Sequence, residues 1–211
     1  MSAVTRWWWV RHAPVVGVDG KIYGSDDVLC DTSNQAAFNT LAHTLPDNAL
    51  WLTSHLTRAR DTAQAIGEAG LSFPAPIVDE GLGEQDFGHW QGLSWDEMEA
   101  KDPDGYAAFW KTPARSRPPG GESFADQMAR TAAAIECYTT AHAGRDIVAV
   151  AHGGTIRAAV AHALGLKPEA GMAITVHTLS MTRLDHLEER LLRGRGGCWR
   201  VLHVNQPSCR A

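Results

Sequence analysis

Apolar positions along this chain gather into short continuous runs. Trp7–Val10, Ala49–Thr53 and Ile147–Ala151 have strand length, and each gives way at once to polar or glycine residues followed by a helical pattern. That rhythm predicts an α/β protein built on a parallel sheet. After the first run comes a loop from Val15 to Asp31 that carries Gly17, Gly20 and Gly24. A helix capped near Asp31 or Thr32 then runs to about Leu45 and stops at Pro46. A second helix is predicted from Thr57 to about Ala69, and the third run leads into one from Thr155 to about Leu164. Between them, residues 79–121 mix Gly, Pro, aromatic and acidic side chains and predict short helices at most. Ser94 followed by Glu97 has the spacing of a capping box. Pro118-Pro119-Gly120-Gly121 breaks the chain before a long helix that Ser123 can cap, running to about His142. Two more strands are predicted at Thr175–Leu184 and Trp199–Val204, flanking a charged turn over 188–197. With no repeat and no linker, residues 1–211 are expected to form one domain, with a lid-like segment at about 80–123.

Composition narrows the function classes. Hydrophobic residues make up 44% and charged residues 20%, which excludes disordered and fibrous chains. Net charge is −5, which excludes a basic surface for nucleic acid or for an anionic membrane. Within that acidic balance there are 15 Arg against 4 Lys, so positive charge is spent on the side chain suited to forked contacts with carboxylates and phosphates. Any phosphate must therefore be met locally. Cys30, Cys137, Cys198 and Cys209 form no CxxC pair, so free thiols in a reducing compartment are expected. Arg6 and Arg11 bracket the first apolar run too closely for a signal peptide, and no window reaches the roughly 18 apolar residues of a membrane span. The expectation is a soluble cytoplasmic protein without membrane or nucleic-acid partners; a homodimer is compatible with these features.

Candidate chemistry lies at the strand ends. Arg11-His12 comes directly after the first strand, Ser54-His55 with Arg58 after the second, and His152-Gly153-Gly154 after the third. In an open parallel sheet these carboxyl ends share one rim, beside helix N-termini whose free N–H groups and dipoles favour an anion. An Arg in the first turn of a helix opposes the dipole, and a bound phosphate at Arg58 would repair that conflict. The rim then supplies an imidazole nucleophile, with Arg11, Arg58 and a second imidazole around a phosphoryl group in transfer, without metal. A proton donor for the leaving oxygen must come from Glu80 to Asp86. Glu84, beside Gly83 and Phe87-Gly88, sits in apolar and flexible surroundings, with Glu80 and Asp86 as competitors.

The run Trp9-Val10-Arg11-His12-Ala13-Pro14 resembles the Arg-His-Gly signature of the histidine phosphatase superfamily, in its phosphoglycerate mutase-like branch. Ser54-His55-Leu56-Thr57-Arg58-Ala59-Arg60-Asp61-Thr62-Ala63, Leu82-Gly83-Glu84 with Phe87-Gly88-His89-Trp90-Gln91-Gly92, Gly120-Gly121-Glu122-Ser123 and Ala151-His152-Gly153-Gly154-Thr155-Ile156-Arg157 are similar to its later blocks, in the same order. The resemblance implies a three-layer α/β/α sandwich with a mostly parallel central sheet and no required cofactor. It implies His12 as the residue that becomes phosphohistidine, a phosphate pocket of Arg11, Arg58, Gly153 and His152, and Glu84 as proton donor. The substrate it implies is a small-molecule phosphomonoester, and the length and blocks look like the α-ribazole phosphatase and broad-specificity group.

Three positions depart from the pattern. Ala13 stands for the usual Gly and Val15 for a common Thr, and His55 replaces a Pro and is expected at the surface. Mutases of this family carry adjacent Arg residues in the segment before the glycine-serine block. Here Arg115 and Arg117 are the only basic pair, which favours hydrolysis over transfer. Two other classes compete: a histidine-rich metal protein, invited by ten His but lacking HExxH or HxH, and a non-catalytic member of the fold. The aromatic residues Trp90, Trp95 and Trp110, with Phe87, Tyr106 and Phe109, are expected to pack the lid onto the sheet. Their functional counterpart is an apolar wall for a ring-bearing leaving group.

Overall fold

The computed structural model describes residues 3–189, 191–194 and 196–208. Its centre is one six-stranded sheet built from β1 (Val4–Arg11), β2 (Leu50–Thr53), β3 (Ile77–Val78), β4 (Asp146–Ala151), β5 (Met181–Leu187) and β6 (Trp199–Gln206), in the order β3-β2-β4-β1-β5-β6. The first four of these in space run parallel; β5 is antiparallel to β1, and β6 to β5. Helices α1 (Gln35–Thr44) and α2 (Thr57–Glu68) cover one face, where Phe38, Leu41 and Ile66 pack on Val10, Trp51 and Val148. The long α5 (Phe124–Ala141) and α6 (Gly153–Leu164) cover the other, where Ile135, Ile156 and Val160 meet Trp7, Trp9 and Ile147. The architecture is the expected three-layer sandwich. Alternation along β1 splits the tryptophan triplet. Trp7 and Trp9 stack on one face with ring centroids 5.0 Å apart, while Trp8 lies on the other under the Arg183 guanidinium.

Element boundaries follow their caps. Helix α1 starts at Gln35 because Asn34 caps it, accepting from the Ala37 N–H; Asp31 turns back on Ser33 instead. Ser94 and Ser123 both form full capping boxes, opening α3 (Trp95–Lys101) and α5. Helix α6 begins at Gly153, two residues earlier than predicted, so that His152 is its N-cap. The strand predicted from Thr175 begins only at Met181. Residues 175–180 instead turn around Arg11, whose side chain donates to the Val176 carbonyl at 2.6 Å and whose main chain pairs with Leu179 and Ser180. The two-residue β3 escapes a pattern search because nothing alternates over so short a length. Part of the charged 188–197 turn, with Arg190 and Arg195, lies outside the described residues, as does Cys209.

The aromatic segment does not use the sheet for its burial. Trp90, Met98 and Phe109 form a separate small core with Ile22, Phe87, Trp95 and Tyr106, drawn from α3, α4 (Pro103–Lys111) and the loop after β1. Trp90 meets Phe109 edge-on at 5.0 Å, and Trp110 packs against Trp95 at 5.2 Å.

Candidate functional site

The carboxyl ends of β1, β2 and β4 bring His12, Ser54, Arg58 and His152 together at full burial. β1 and β4 are neighbours in register, with Arg11 opposite Ala151, so the residues just past each strand meet directly. The two imidazole centroids are 5.1 Å apart. Nδ1 of His12 lies 2.7 Å from the Ala13 carbonyl, which can only accept; Nδ1 therefore carries the proton, and the lone pair is on Nε2. That Nε2 has no protein partner. Burial is the main cause of a fall in the His12 pKa to about 3; the Ala13 carbonyl opposes it, and the charges of Arg58 and Arg11 add to it. The ring is thus neutral at physiological pH, in the form that can attack an electrophile.

His152 is fixed from both sides. Its Nδ1 accepts from Arg58 Nε at 3.3 Å, so its Nε2 donates to the Ser54 hydroxyl at 2.7 Å. Burial, then the proximity of His12 and Arg58, pushes its pKa well below the ordinary value. Arg58 is wholly buried in the first turn of α2, and the helix-dipole conflict is met by the loop after β1. Its terminal nitrogens donate to the carbonyls of Asp26 and Gly24, both at 2.6 Å, and its guanidinium lies over the Tyr23 ring. Two of its five N–H groups remain for a ligand. Asp27 in the same loop caps α2 by accepting from the Thr57 N–H and hydroxyl. Arg11 keeps a buried Nε without a partner, and its guanidinium packs beside Gly153 at the start of α6.

Glu84 reaches the same rim from the 3-10 turn over Glu80–Leu82 and the residues after it. Its carboxylate accepts from Gly154 N–H in the first turn of α6, from Gln127 Nε2 at 2.9 Å and from its neighbour Gln85 N–H at 3.0 Å. The surroundings are polar rather than the apolar setting expected from Phe87-Gly88. The helix N-terminus predicted to attract an anion holds this carboxylate. Asp86 turns its carboxylate to the Gly88 N–H instead. Glu80 lines an open cavity with Glu84, Asp86 and His55. His55 is exposed, as expected, yet it also stands at the mouth of that cavity, with its ring against Gly83. Ala13 buries its methyl in the core on the α1 side of the sheet, and its N–H donates to Thr62.

Three contributors were not legible as site residues. Ser54 stood out only as part of a block. Gln127 and Arg130 lie one turn apart on α5, and both face the Glu84 turn: Arg130 donates to the carbonyls of Gly81, Gly83 and Glu84 and pairs with Glu122. The available signal was a glutamine on the buried stripe of Phe124, Thr131, Ala134 and Ile135. Among the described residues, no group of three or more His, Cys, Asp or Glu is placed to hold a metal ion, and no helix is long and apolar enough to cross a membrane.

This fold and this rim of two histidines and two arginines define a class. Residues 7–194 match the profile of the Histidine phosphatase superfamily (branch 1), and the chain belongs to that family. Its relatives divide by name. A 2,3-bisphosphoglycerate-dependent phosphoglycerate mutase from Gloeobacter violaceus is 33% identical over 184 residues, 84% of each chain. A glucosyl-3-phosphoglycerate phosphatase from Mycolicibacterium vanbaalenii is 38% identical over 138 residues, 62% of this chain and 59% of the relative. Among solved structures, a mycobacterial glucosyl-3-phosphoglycerate phosphatase superposes with a TM-score of 0.78 at 28% identity, covering 96% of this chain and 99% of its own. The α-ribazole phosphatase of Shigella flexneri shares the fold, with a TM-score of 0.76 at 23% identity over 98% of this chain and 100% of its own.

Proposed function

We propose that this protein hydrolyses phosphomonoesters through a phosphohistidine on His12. The observation that carries the reading is the unpartnered Nε2 of a neutral, buried His12 whose other nitrogen is locked to Ala13. In the first step Nε2 attacks phosphorus in line, the P–O bond to the leaving group breaks, and Glu84 gives its proton to the departing oxygen. Arg11, Arg58, His152 and the Gly153 end of α6 surround the equatorial oxygens, where charge is spread in the transition state. In the second step the Glu84 carboxylate takes a proton from water, the water oxygen attacks phosphorus, and the P–N bond breaks to return neutral His12 and inorganic phosphate. A single turnover stopped in alkaline detergent should leave label on the protein that is stable to base and released by acid. A stoichiometric burst without such label would overturn the covalent route.

Protonation of the leaving oxygen matters most when that oxygen is basic. Glu84→Gln should therefore lose roughly 10²–10³-fold more activity on a simple alkyl phosphate than on 4-nitrophenyl phosphate. Equal losses would remove Glu84 from the acid role.

The leaving group faces a cavity of about 200 Å³ between Glu84, Gly154 and Arg157 on one side and Phe87, Trp95, Phe109, Trp110 and Met172 on the other. This apolar wall supports a substrate whose alcohol carries a ring or another bulky organic group. Trp110→Ala should raise KM for aryl phosphates about tenfold while changing that for 3-phosphoglycerate little, because stacking on an aromatic face is lost only by the former. A wild-type enzyme that prefers 3-phosphoglycerate to aryl phosphates would sink the substrate class.

The mutase names among the relatives support a second reading, phosphoryl transfer between positions of one substrate. Against it stand Arg115 and Arg117, the pair that could hold a second anionic group. Each is exposed and already paired, Arg115 with Glu169 and Arg117 with both oxygens of Asp126. Isomerisation of 3-phosphoglycerate at a rate above that of its hydrolysis would favour transfer.

A further inference from the structure

Gln127 is fully buried, yet its Oε1 has no hydrogen-bond partner, while its Nε2 donates to Glu84 at 2.9 Å and lies 3.4 Å from the Gly83 carbonyl and the Thr155 hydroxyl, which fixes the amide this way round. A buried amide oxygen left unpaired is costly, and it calls for a reason. The other two donors to the Glu84 carboxylate, the N–H groups of Gly154 and Gln85, are main-chain groups that cannot become acceptors. All three donors meet Oε1, which accepts whether the carboxyl is ionised or protonated on Oε2. Among the described residues the Gln127 amide is the one side chain that donates to this carboxyl, and it fixes which oxygen accepts. With Oε1 held in this way, the proton is left to Oε2, the oxygen that can turn it toward a leaving group. The space is tight enough to keep the pair in contact: a Cβ at Gly154 would collide with both Glu84 Oε1 and Gln127 Oε1.

We propose that Gln127 is the positioning residue for Glu84, holding Oε1 of its carboxyl as the acceptor so that Oε2 carries the proton to the leaving oxygen. The inference rests on the assignment of Glu84 as proton donor. The charged groups around that carboxyl are Arg58 from α2, Arg157 from α6 and Arg130 from α5, with Glu80, Asp86 and His55 across the open cavity. Gln127 itself touches no substrate atom, and its effect passes through Glu84.

The test compares Gln127→Met, similar in length and without a polar end, with Gln127→Glu, both checked for wild-type circular dichroism and melting. Gln127→Met should lower kcat for an alkyl phosphate about tenfold more than for 4-nitrophenyl phosphate, and adding it to Glu84→Gln should cost little further. Gln127→Glu places two carboxyls together, which share one proton at neutral pH. Its high-pH limb for the alkyl substrate should move up by about one unit, a change that a packing role would not produce. Equal losses on both substrates for Gln127→Met, or additive losses in the double variant, would overturn the proposal. An unmoved limb in a folded Gln127→Glu would do the same. If Glu84→Gln itself lacks leaving-group dependence, the acid assignment fails first. If Glu84→Gln shows that dependence and Gln127→Met does not, only the role of Gln127 falls.

Discussion

His12→Ala should reduce phosphomonoester hydrolysis by roughly 10⁴–10⁶-fold, the loss expected when a covalent nucleophile is removed and the remaining binding groups are left in place. The loss should be in kcat, with KM little changed, because the arginines that would meet the phosphate stay where they are. Arg58 is held by Gly24, Asp26 and His152, and Arg11 by Val176. No other imidazole in the rim can stand in for His12. Among the described residues the only other one at full burial there, His152, has both nitrogens engaged, by Arg58 and Ser54. Steady-state assays with 4-nitrophenyl phosphate, with the alkaline trapping experiment run alongside, check this. Retention of more than a few per cent of wild-type activity would show that the nucleophile lies elsewhere. Ser54→Ala tests the same arrangement more gently, since it frees His152 to turn.

The second large effect is on stability. Folding should weaken steeply as pH falls from about 6.5 toward 4.5. His12 and His152 are both buried neutral, and their pKa values lie below those of the unfolded chain, so the unfolded state binds more protons across this window. Stability is therefore complete above the unfolded value and is lost as pH drops beneath it. Each such group contributes a slope of about 1.4 kcal/mol per pH unit, and the pair about 3, because charging either ring next to Arg58 and the other ring is resisted. His162, His186 and His203, partly buried and also lowered chiefly by burial, add in the same direction with smaller weight. Carboxylates held down by bonds, such as Asp126 with Arg117 and Ser123, contribute only at lower pH. Against a total of about 5–15 kcal/mol for a domain, this loss should bring unfolding into reach near pH 4.5. Urea midpoints measured from pH 7.5 to 4.5 on the wild type and on His12→Gln should show the slope fall by about half in the variant. A wild-type midpoint that stays flat over that range would mean the imidazoles are not held neutral.

The same burial that makes the site fragile in acid keeps His12 neutral, the form the proposed nucleophile requires, so stability and the proposed chemistry draw on one arrangement. His12, Arg58 and His152 have no exposed surface, and the loop after β1 lies across Arg58 through Gly24 and Asp26, with Gln91 tying Ser25 and Asp26 to the aromatic segment. These contacts join the loop, the aromatic core and the buried rim through hydrogen bonds.

Much of this could be read along the chain. Three apolar runs, each followed by a polar pair, are local facts, and strand ends are where a parallel sheet collects its functional groups; Arg11, His12, Arg58 and His152 were legible for that reason. Capping signals at Ser94 and Ser123 are equally local, and both helices begin there. The spacing of residues carries no information about which side chains share a hydrogen bond across elements. That the carboxylate of Glu84 sits on the N-terminus of α6, that Gln127 and Arg130 from α5 hold its turn, and that Asp27 caps α2 all depend on contacts between segments 30 to 70 positions apart. The same holds for the Thr175 run, whose composition suits a strand. The register sets Met181 opposite Val10, so β1 ends at Arg11 before residues 175–178 could pair with it, and they turn there with the Val176 carbonyl accepting from Arg11. The sequence by itself determined the three central strands, the helices that follow them and the candidate groups at their ends, since these follow from local periodicity and the order of elements. The tertiary structure alone decided their protonation, their partners and which carboxyl reaches the rim, because burial and hydrogen bonding are properties of neighbours that the chain brings together only on folding.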